Sequence, residues 1–136
     1  MQSALRDDAL ITRGDGIAVR VGLPWIRSLP LACVRDLSVS VDGAPVDVLR
    51  LELDDRRIGP DELVNETGWW FIQDRLLVVA DISLAPGDHR VEVELVAMIP
   101  YLLAGPGGTA LTLPLRMSRE LTLDHPAVPS VSLDVA

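Results

Sequence analysis

Cysteine and aromatic residues are scarce in this chain, and their scarcity narrows the kinds of protein that it can be. Cys33 is the one cysteine among 136 residues, so no disulfide can form within the chain. Its neighbours in Leu-Ala-Cys-Val are apolar, which predicts a buried, unreactive thiol. Aromatic residues make up 4% of the sequence, whereas hydrophobic residues make up 49%. Val, Leu, Ile and Ala must therefore fill the interior, and this composition favours an aliphatic sheet core.

Positive charge and long apolar runs are also in short supply. The 12 basic residues are outnumbered by 20 acidic ones, which gives a net charge of −8 and a pI of about 4.6. Nucleic acid and anionic membrane surfaces would repel such a chain, so neither is an expected partner. The longest apolar stretch, residues 95–104, contains Pro100 and is too short to span a bilayer. Arg6, Asp7 and Asp8 are not followed by the apolar core of a signal peptide, so we expect a soluble, cytoplasmic protein.

The hydrophobic pattern predicts strands throughout the chain and no helix longer than a turn or two. The length favours one domain over residues 1–136, with a tail from about residue 117 that matches no clear pattern. Alternation of apolar and polar residues is clearest over residues 91–99, and it also marks residues 17–21 and 111–115. Short strands separated by turn residues are typical of an antiparallel β-sandwich, and we predict this all-β fold of two packed sheets.

One hairpin is predicted around Asp42-Gly43, because both residues tolerate the positive φ that a tight turn requires. The alternating residues 37–41 precede this turn and the apolar residues 46–53 follow it, so the two runs should pair. Residues 54–65 then carry a charge cluster and a Gly-Pro turn, which predict a surface excursion with a short helical start.

A second hairpin is predicted between residues 68–72 and residues 76–82, on either side of the turn-like Gln73-Asp74-Arg75. Pro86-Gly87 indicates a further turn, since proline presets one turn dihedral and glycine tolerates the next. Residues 120–136 contain two prolines and should be extended or form an edge strand.

A proline-bracketed segment interrupts this strand pattern at residues 20–31. Pro24 and Pro30 restrict the backbone, so the segment should be extended and stiff. Trp25 offers a flat apolar face, while Arg20 and Arg27 carry charges that stack on rings or bind carboxylates. The segment is therefore a candidate surface for a partner; the alternative is that its apolar side chains close the end of the hydrophobic core.

Trp69, Trp70 and Phe71 form the one run of aromatic residues. Neighbours in a strand alternate sides, so Trp69 and Phe71 share a face and Trp70 takes the other. One of these faces should belong to the core. The opposite face is then available to a sugar, an aromatic ligand or a partner protein.

The titratable residues do not form a catalytic pattern. His89 and His125 are the two imidazoles, and neither lies at metal-ligand spacing from another histidine or a cysteine, so no metal site is predicted. The acidic pairs Asp54-Asp55 and Asp61-Glu62 are typical of a solvated surface. The glycine-rich residues 105–108 lack the phosphate-loop pattern and predict a mobile loop. The sequence supports binding more readily than catalysis.

Three parts of the sequence, taken in order, resemble the small beta subunit of bacterial C-glycoside deglycosidases. They are Arg20-Val21-Gly22-Leu23-Pro24-Trp25-Ile26-Arg27-Ser28-Leu29-Pro30-Leu31, then Val41-Asp42-Gly43-Ala44-Pro45-Val46, then Leu84-Ala85-Pro86-Gly87-Asp88-His89-Arg90-Val91-Glu92-Val93 with Ile99-Pro100-Tyr101. The resemblance covers roughly residues 10–105. Its specific part is the Leu-Pro-Trp-Ile-Arg-Ser-Leu-Pro-Leu stretch, since the other two are common in β-sandwiches. The tail from Arg116 to Ala136 has no counterpart in it.

The resemblance implies an accessory β-sandwich chain in a hetero-oligomer. Its partner would be a larger alpha subunit of barrel fold that holds a divalent metal, expected to be manganese, while this chain would hold no cofactor. The complex would cleave the carbon–carbon bond of a 3-oxo-C-glycoside in a lyase-type elimination, for which a metal polarises the ketone and acid–base groups move protons. The candidates for a partner interface or a substrate wall are Arg20, Pro24, Trp25, Arg27, Trp70, Tyr101 and Leu102, and no residue is assigned a catalytic or metal-binding role.

Two other functions remain open at this point. A stand-alone carbohydrate- or aryl-glycoside-binding module would use Trp25, Trp69 or Trp70 as a stacking platform and would be a stable monomer. A small hydrolase built on His89 or His125 would need a nucleophile or a metal that the sequence does not show.

Overall fold

The computed structural model describes residues 4–25, 27–47, 49–103 and 105–125, and strands are the main regular secondary structure of this part of the chain. Its strands are β1 (Leu10–Arg13), β2 (Gly16–Gly22), β3 (Leu29–Pro30), β4 (Val34–Val41), β5 (Ala44–Pro45), β6 (Leu49–Leu53), β7 (Arg56–Ile58), β8 (Trp69–Trp70), β9 (Arg75–Ala80), β10 (Asp88–Ile99) and β11 (Leu111–Thr122). Short 3-10 helices cover Leu31–Cys33 and Pro60–Asn65, and Pro106–Gly108 form a turn whose backbone is not helical at Gly107. Over the described ranges, no helix has the length and hydropathy needed to cross a membrane.

Two antiparallel sheets form the body of the fold. The five-stranded sheet has the order β1-β2-β9-β6-β7, and the four-stranded sheet has the order β11-β10-β4-β5. A separate two-stranded pairing joins β3 to β8. Buried side chains of both larger sheets belong to one apolar cluster, for example Val19 and Val78 from the first and Val39 and Val93 from the second. The two sheets therefore pack face to face, which confirms the predicted all-β sandwich.

The strand β10 follows the alternation of its sequence closely. Val91, Val93, Leu95, Ala97 and Ile99 are each at most 2% exposed, and they share the face that packs on the core. A strand sends successive side chains to opposite faces, so the polar residues between them lie on the outer face. This predicted strand is confirmed, and it pairs with β11 on one side and β4 on the other.

The predicted hairpin around Asp42-Gly43 forms only in part. The turn is present, with Asp42 at φ 52° and Gly43 at φ 83°, and β4 pairs with the two-residue β5. The N–H of Val46 still donates to the C=O of Val39 at 2.9 Å. β6 instead pairs with β7 and β9 in the other sheet, so the expected pairing of residues 37–41 with residues 46–53 is wrong beyond Val46. Leu51 of β6 is fully buried and reaches the same core from the opposite side. Alternation specifies which face of a strand is buried, but it does not specify the sheet to which the strand belongs.

The predicted hairpin between residues 68–72 and residues 76–82 is also wrong. β8 pairs with β3, whereas β9 pairs with β2 on one side and β6 on the other. The turn between β8 and β9 does exist, since the N–H of Asp74 donates to the C=O of Phe71 at 3.0 Å. Both faces of β9 carry buried side chains. A strand with two buried faces is typical of the interior of a sheet, where it has a neighbour on each side.

Residues 54–65 leave the sheets only in part. After a turn, Arg56–Ile58 pair with β6 as the edge strand β7, and Ile58 is buried. The 3-10 helix Pro60–Asn65 follows, and Pro60 begins it at a position where its missing N–H is not needed. Leu63 is fully buried and anchors the helix to the core. The predicted short helical start is confirmed, whereas the predicted surface excursion is interrupted by β7.

The strand β11 extends to Thr122, well beyond the alternating residues 111–115 that predicted it. It pairs with β10 along its whole length, from Leu111 opposite Ile99 to Thr122 opposite Asp88, and it is an edge of the four-stranded sheet. The edge strand predicted near the C-terminus is confirmed as far as Thr122. Residues 126–136 of the predicted tail lie outside the described residues.

Candidate interface around Trp25 and Tyr101

Buried leucines hold the proline-bracketed segment at both ends. Leu23 is 6% exposed and Leu29 is completely buried. Between them the chain bends at Trp25 and again at Arg27, so the segment is not the straight, extended stretch that its prolines predicted. Pro24 and Trp25 are half-buried, whereas Arg27 is exposed. Burial of the two leucines therefore presents the residues between them at the surface.

Trp25, Arg27 and Tyr101 meet at this surface, although 76 residues separate Trp25 from Tyr101 in the sequence. The Nε1–H of Trp25 donates to the Oη of Tyr101 at 2.6 Å. The guanidinium of Arg27 lies 5.4 Å from the centroid of the Tyr101 ring, which is within the range of a cation–π contact. The structure thus brings together three candidates that the sequence could name only one by one.

A second exposed cluster lies beside the first. The N–H of Ile72 donates to the Oγ of Ser28 at 3.0 Å. The pairing of β3 with β8 sets Pro30 opposite Trp69, and Trp69 is 51% exposed. The end of the proline-bracketed segment therefore lies against the residues around β8.

The two clusters flank one short segment, because Arg27 contacts Tyr101 and the next residue, Ser28, contacts Ile72. Their large apolar side chains are between 37% and 68% exposed. We call this surface the apolar rim, and its members are Trp69, Phe71, Ile72, Tyr101, Leu102 and Leu103. Large exposed apolar side chains gathered around one segment are typical of a site that binds another molecule. The apolar rim is accordingly the candidate functional surface of this chain.

The loop after β10 holds its half of the rim by backbone hydrogen bonds. The N–H of Leu102 donates to the C=O of Ile99 at 3.1 Å, and the C=O of Leu102 accepts the N–H of Leu111 at 2.8 Å. Gly107 and Gly108 have φ values of 69° and 78°, a left-handed geometry in which a side chain would be strained. This loop turns the chain back into β11 while the Leu102 side chain stays 37% exposed.

Trp70, an interface candidate from the sequence, lies in the core. Its side chain is 1% exposed, and its indole N–H donates to the C=O of Asp74 at 3.2 Å. Alternation along the strand allows only one of the two neighbouring tryptophans to face outward. Packing of β8 against β3 and the core selects Trp69 for the surface, so the assignment of Trp70 to the interface is wrong.

Arg20, another candidate, binds to a carboxylate within the chain. Its guanidinium lies 3.3 Å from the carboxylate of Asp8, and Asp8 also pairs at 2.9 Å with Arg75, whose side chain is 2% exposed. A shared carboxylate offsets the cost of burying positive charge. These contacts stabilise the fold, and a role for Arg20 toward a partner stays a prediction.

Groups with catalytic potential are engaged or poorly placed in this structure. The described residues contain no group of three or more His, Cys, Asp or Glu side chains that could hold a metal ion. His89 is bonded at both ring nitrogens, with Nδ1 at 2.6 Å from an Asp42 carboxylate oxygen and Nε2 at 2.6 Å from the C=O of Ala85. Because both partners are acceptors, and above all because of the bond to Asp42, the pKa of His89 is raised. Burial raises the pKa of the Cys33 thiol, which disfavours the thiolate.

Two members of the apolar rim, Ile72 and Leu103, were not named individually as candidates from the sequence. Apolar side chains are usually buried, whereas the structure leaves Ile72 54% and Leu103 68% exposed. The one available signal was their position beside residues already named, because Ile72 follows the aromatic run and Leu103 follows Tyr101-Leu102. Exposure of an apolar side chain depends on the packing around it, so it cannot be read from residue type.

Comparison with known proteins relates the chain to one family. The family model described as C-glycoside deglycosidase beta subunit matches residues 6–101. This match includes the whole proline-bracketed segment, and it ends at Tyr101, within the apolar rim.

Curated deglycosidase beta subunits are similar to this chain over most of their length. A C-glycoside deglycosidase beta subunit of Arthrobacter globiformis is 40% identical over 103 residues, which cover 72% of this chain and 79% of that protein. A C-glycoside deglycosidase beta subunit of Microbacterium trichothecenolyticum is 36% identical, with 73% and 79% of the two chains covered. A 3'-dehydrocarminate deglycosidase beta subunit of a Microbacterium species is 35% identical over 99 residues, which cover 70% and 75%. The chain therefore belongs to the family of C-glycoside deglycosidase beta subunits.

Proposed function

We propose that this chain is the accessory subunit of a C-glycoside deglycosidase-like complex. In this complex a larger, metal-dependent alpha subunit of barrel fold cleaves the carbon–carbon bond of 3-oxo-C-glycosides. The observation that carries the proposal is the apolar rim, which is the surface that docks on the larger subunit. Membership of a beta-subunit family supports the existence of a partner subunit.

The side chains of the rim suit a protein interface. Trp, Tyr and Arg contribute most often to the binding energy of protein complexes, and the rim combines Trp69 and Tyr101 with the neighbouring Arg27. Hydrogen bonding to Trp25 and stacking by Arg27 already hold the Tyr101 ring in place. Side chains that are ordered before binding lose less entropy when a partner arrives. The surface is therefore both apolar and preorganised.

The proposal assigns the chemistry to the larger subunit. Cleavage of the carbon–carbon bond requires a metal to polarise the ketone and acid–base groups to transfer protons. The described residues of this chain offer no metal-binding group, and both nitrogens of His89 are engaged. These residues do not supply a set of ligands for a divalent metal, so we propose that the alpha subunit binds the metal. Tyr101 and Leu102 would then form part of one wall of the aglycone pocket, where the two subunits meet.

Co-expression with a barrel protein encoded beside this chain tests the proposal. Size exclusion with light scattering should detect a complex of the two proteins. The variant Leu103→Glu places a charge on the most exposed member of the rim, whose side chain is 68% exposed. We expect it to weaken the complex by about tenfold or more, which corresponds to about 1.4 kcal/mol.

A matched control comes from Val64, which is 46% exposed in the 3-10 helix Pro60–Asn65 and lies outside the rim. The variant Val64→Glu makes a comparable apolar-to-charged change and should leave the complex intact. Absence of a complex with any neighbouring barrel protein would contradict the accessory function. Equal weakening by Leu103→Glu and Val64→Glu would contradict the rim as the docking surface.

A second candidate function, carbohydrate binding by the isolated chain, is favoured by one observation. The exposed ring of Trp69 lines a surface cavity of about 400 Å³, together with Glu52, Arg56 and Glu66. An aromatic face beside carboxylates is a common arrangement for stacking and hydrogen bonding a sugar. Fluorescence titration of the isolated chain with an aryl glycoside, with Trp69→Ala as control, separates the two functions. Saturable binding that Trp69→Ala abolishes, without any partner protein, favours this second candidate.

A further inference from the structure

The strand β11 is a long sheet edge. Among the described residues, β10 is its one hydrogen-bonded neighbour. β11 has 12 residues, whereas the other edge strands of the two larger sheets, β1, β5 and β7, have 4, 2 and 3 residues. An edge strand presents a row of backbone donors and acceptors, and natural proteins usually keep such edges short, covered or paired. β11 is therefore the edge best suited to pair with another strand.

Two hydrogen bonds at its ends show which backbone groups of β11 face outward. The N–H of Leu111 donates to the C=O of Leu102, and the N–H of Leu123 donates to the C=O of Gly87, both on the side of β10. Backbone groups alternate sides along an antiparallel strand. The odd-numbered residues of β11 therefore direct their backbone groups toward β10, and the even-numbered residues direct theirs toward the free edge.

Among the described residues, the ends of this free edge are closed, and no backbone partner lies along its middle. Pro114 is even-numbered, so its missing N–H costs no hydrogen bond to β10, and it cannot donate across the edge. At the other end, the C=O of Thr122 accepts the N–H of His125 at 3.3 Å, and the N–H of Asp124 donates to the C=O of Leu10 at 2.9 Å. Residues 116–120 lie between these closed ends and form the available stretch.

The charges on this stretch of one copy can pair with the charges on the same stretch of a second copy. In an antiparallel pair of two β11 strands centred on Ser118, Arg116 of one copy lies opposite Glu120 of the other, and the reverse pair forms by symmetry. An axis at residue 116 would instead set arginine opposite arginine, and an axis at residue 120 would set glutamate opposite glutamate. Opposite charges on facing residues stabilise a strand pair and like charges destabilise it. The charge pattern therefore selects the axis at Ser118.

The inward face of β11 also favours pairing. Leu115 and Met117 are half-buried, although their partners on β10, Leu95 and Val93, are almost completely buried. The difference arises because β11 has a described neighbour on one side only. With the axis at Ser118, a second copy would set Leu121 opposite Leu115 and Arg119 opposite Met117, so Leu115 would gain an apolar neighbour.

We propose that two copies of this chain pair through antiparallel β11 strands about a two-fold axis at Ser118. The pairing joins the four-stranded sheet of one copy to the four-stranded sheet of the other, so that they form one continuous sheet. The family match ends at Tyr101, before β11 begins, so the proposal rests on residues of this chain beyond the match. It does not depend on the function proposed above, and it leaves the apolar rim available to a different partner.

Sedimentation equilibrium of the full chain tests the proposal. We expect a dimer of two 14.8 kDa chains. Glu120→Arg sets arginine opposite arginine, and Arg116→Glu sets glutamate opposite glutamate, so each variant alone should dimerise at least about tenfold more weakly. A mixture of the two variants should form a heterodimer, because both facing pairs then carry opposite charges. Glu62→Arg, an equal charge change on an exposed residue of the 3-10 helix Pro60–Asn65, should leave the dimer unchanged.

A backbone variant tests the pairing without changing charge. Ser118→Pro removes the N–H at the axis, which faces the free edge, so the variant should still fold and should remain monomeric. A wild-type chain that is monomeric at all concentrations overturns the proposal. A dimer that survives both Glu120→Arg and Ser118→Pro, or a mixture of the two charge variants that does not associate, overturns the pairing through β11.

Discussion

Replacement of Trp70 by alanine, beside the same replacement of its neighbour Trp69, tests how the structure orients these two rings. Trp70 is 1% exposed and its indole N–H is bonded to the C=O of Asp74. Truncating a buried tryptophan costs about 3–5 kcal/mol, since it leaves a cavity and removes apolar contacts. The free energy of unfolding of a domain is only about 5–15 kcal/mol. Trp70→Ala should therefore lower the unfolding temperature by about 10–20 °C.

Trp69→Ala should affect binding to the partner more than it affects the stability of the fold. The Trp69 ring is 51% exposed, so its loss should cost at most about 1 kcal/mol of stability. As a member of the apolar rim, however, Trp69 should contribute to docking, and its truncation should weaken the complex with the larger subunit by about tenfold or more. The two neighbouring variants thus separate stability from binding.

Urea unfolding followed by far-ultraviolet circular dichroism measures the free energy for both variants without relying on the tryptophan signal that they remove. Binding is measured separately with the co-expressed partner. Equal losses of stability in the two variants, or a larger loss for Trp69→Ala, would refute the orientation of the rings. A Trp69→Ala variant that binds the partner as the wild type does would remove Trp69 from the rim.

The remaining predictions concern two ion pairs. Asp8→Asn removes the carboxylate that pairs with Arg75, whose side chain is 2% exposed, and should lower the free energy of unfolding in urea by about 3 kcal/mol. Asp7→Asn, at a carboxylate that is 60% exposed, should lower it by less than about 1 kcal/mol. Equal losses in the two variants would contradict the buried pair. The bond to Asp42 raises the pKa of His89 above its usual 6.5, so this pair should stabilise the fold fully below that pH and lose its contribution as the pH rises through the raised pKa. Asp42→Asn should flatten this part of the stability profile and lower the pKa of His89 measured by NMR, and an unchanged pKa would contradict the assigned cause.

Local features of the fold were predictable because they depend on nearby residues. The alternation over residues 91–99 specifies a strand with one buried face, and β10 has that face. The Asp42-Gly43 turn forms because both residues accept positive φ. The partners predicted for β6 and β9 in the two hairpins were wrong, since these two strands pair with each other across the intervening residues. Pairing between distant strands depends on the packing of the whole sandwich, and hydrophobic periodicity carries no information about it.

The candidate site was predictable in part for the same reason. The two prolines and the neighbouring arginines nominated Trp25 and Arg27 from residue type, and the family resemblance added Tyr101. Residue type could not show that the Trp25 indole bonds to the Tyr101 hydroxyl, because this contact joins two loops that only the sandwich brings together. It also could not decide between Trp69 and Trp70, since alternation fixes that they face opposite ways and the packing around β8 decides which one is buried.

The sequence by itself determined the all-β class, the aliphatic core, the main turns and the family, because composition, alternation and short motifs act locally along the chain. Tertiary structure alone decided which sheet each strand joins, which apolar side chains remain exposed in the rim, and which backbone groups of β11 face a free edge. These properties depend on contacts between residues that are distant in sequence. Such contacts form only when the two sheets close over a common core.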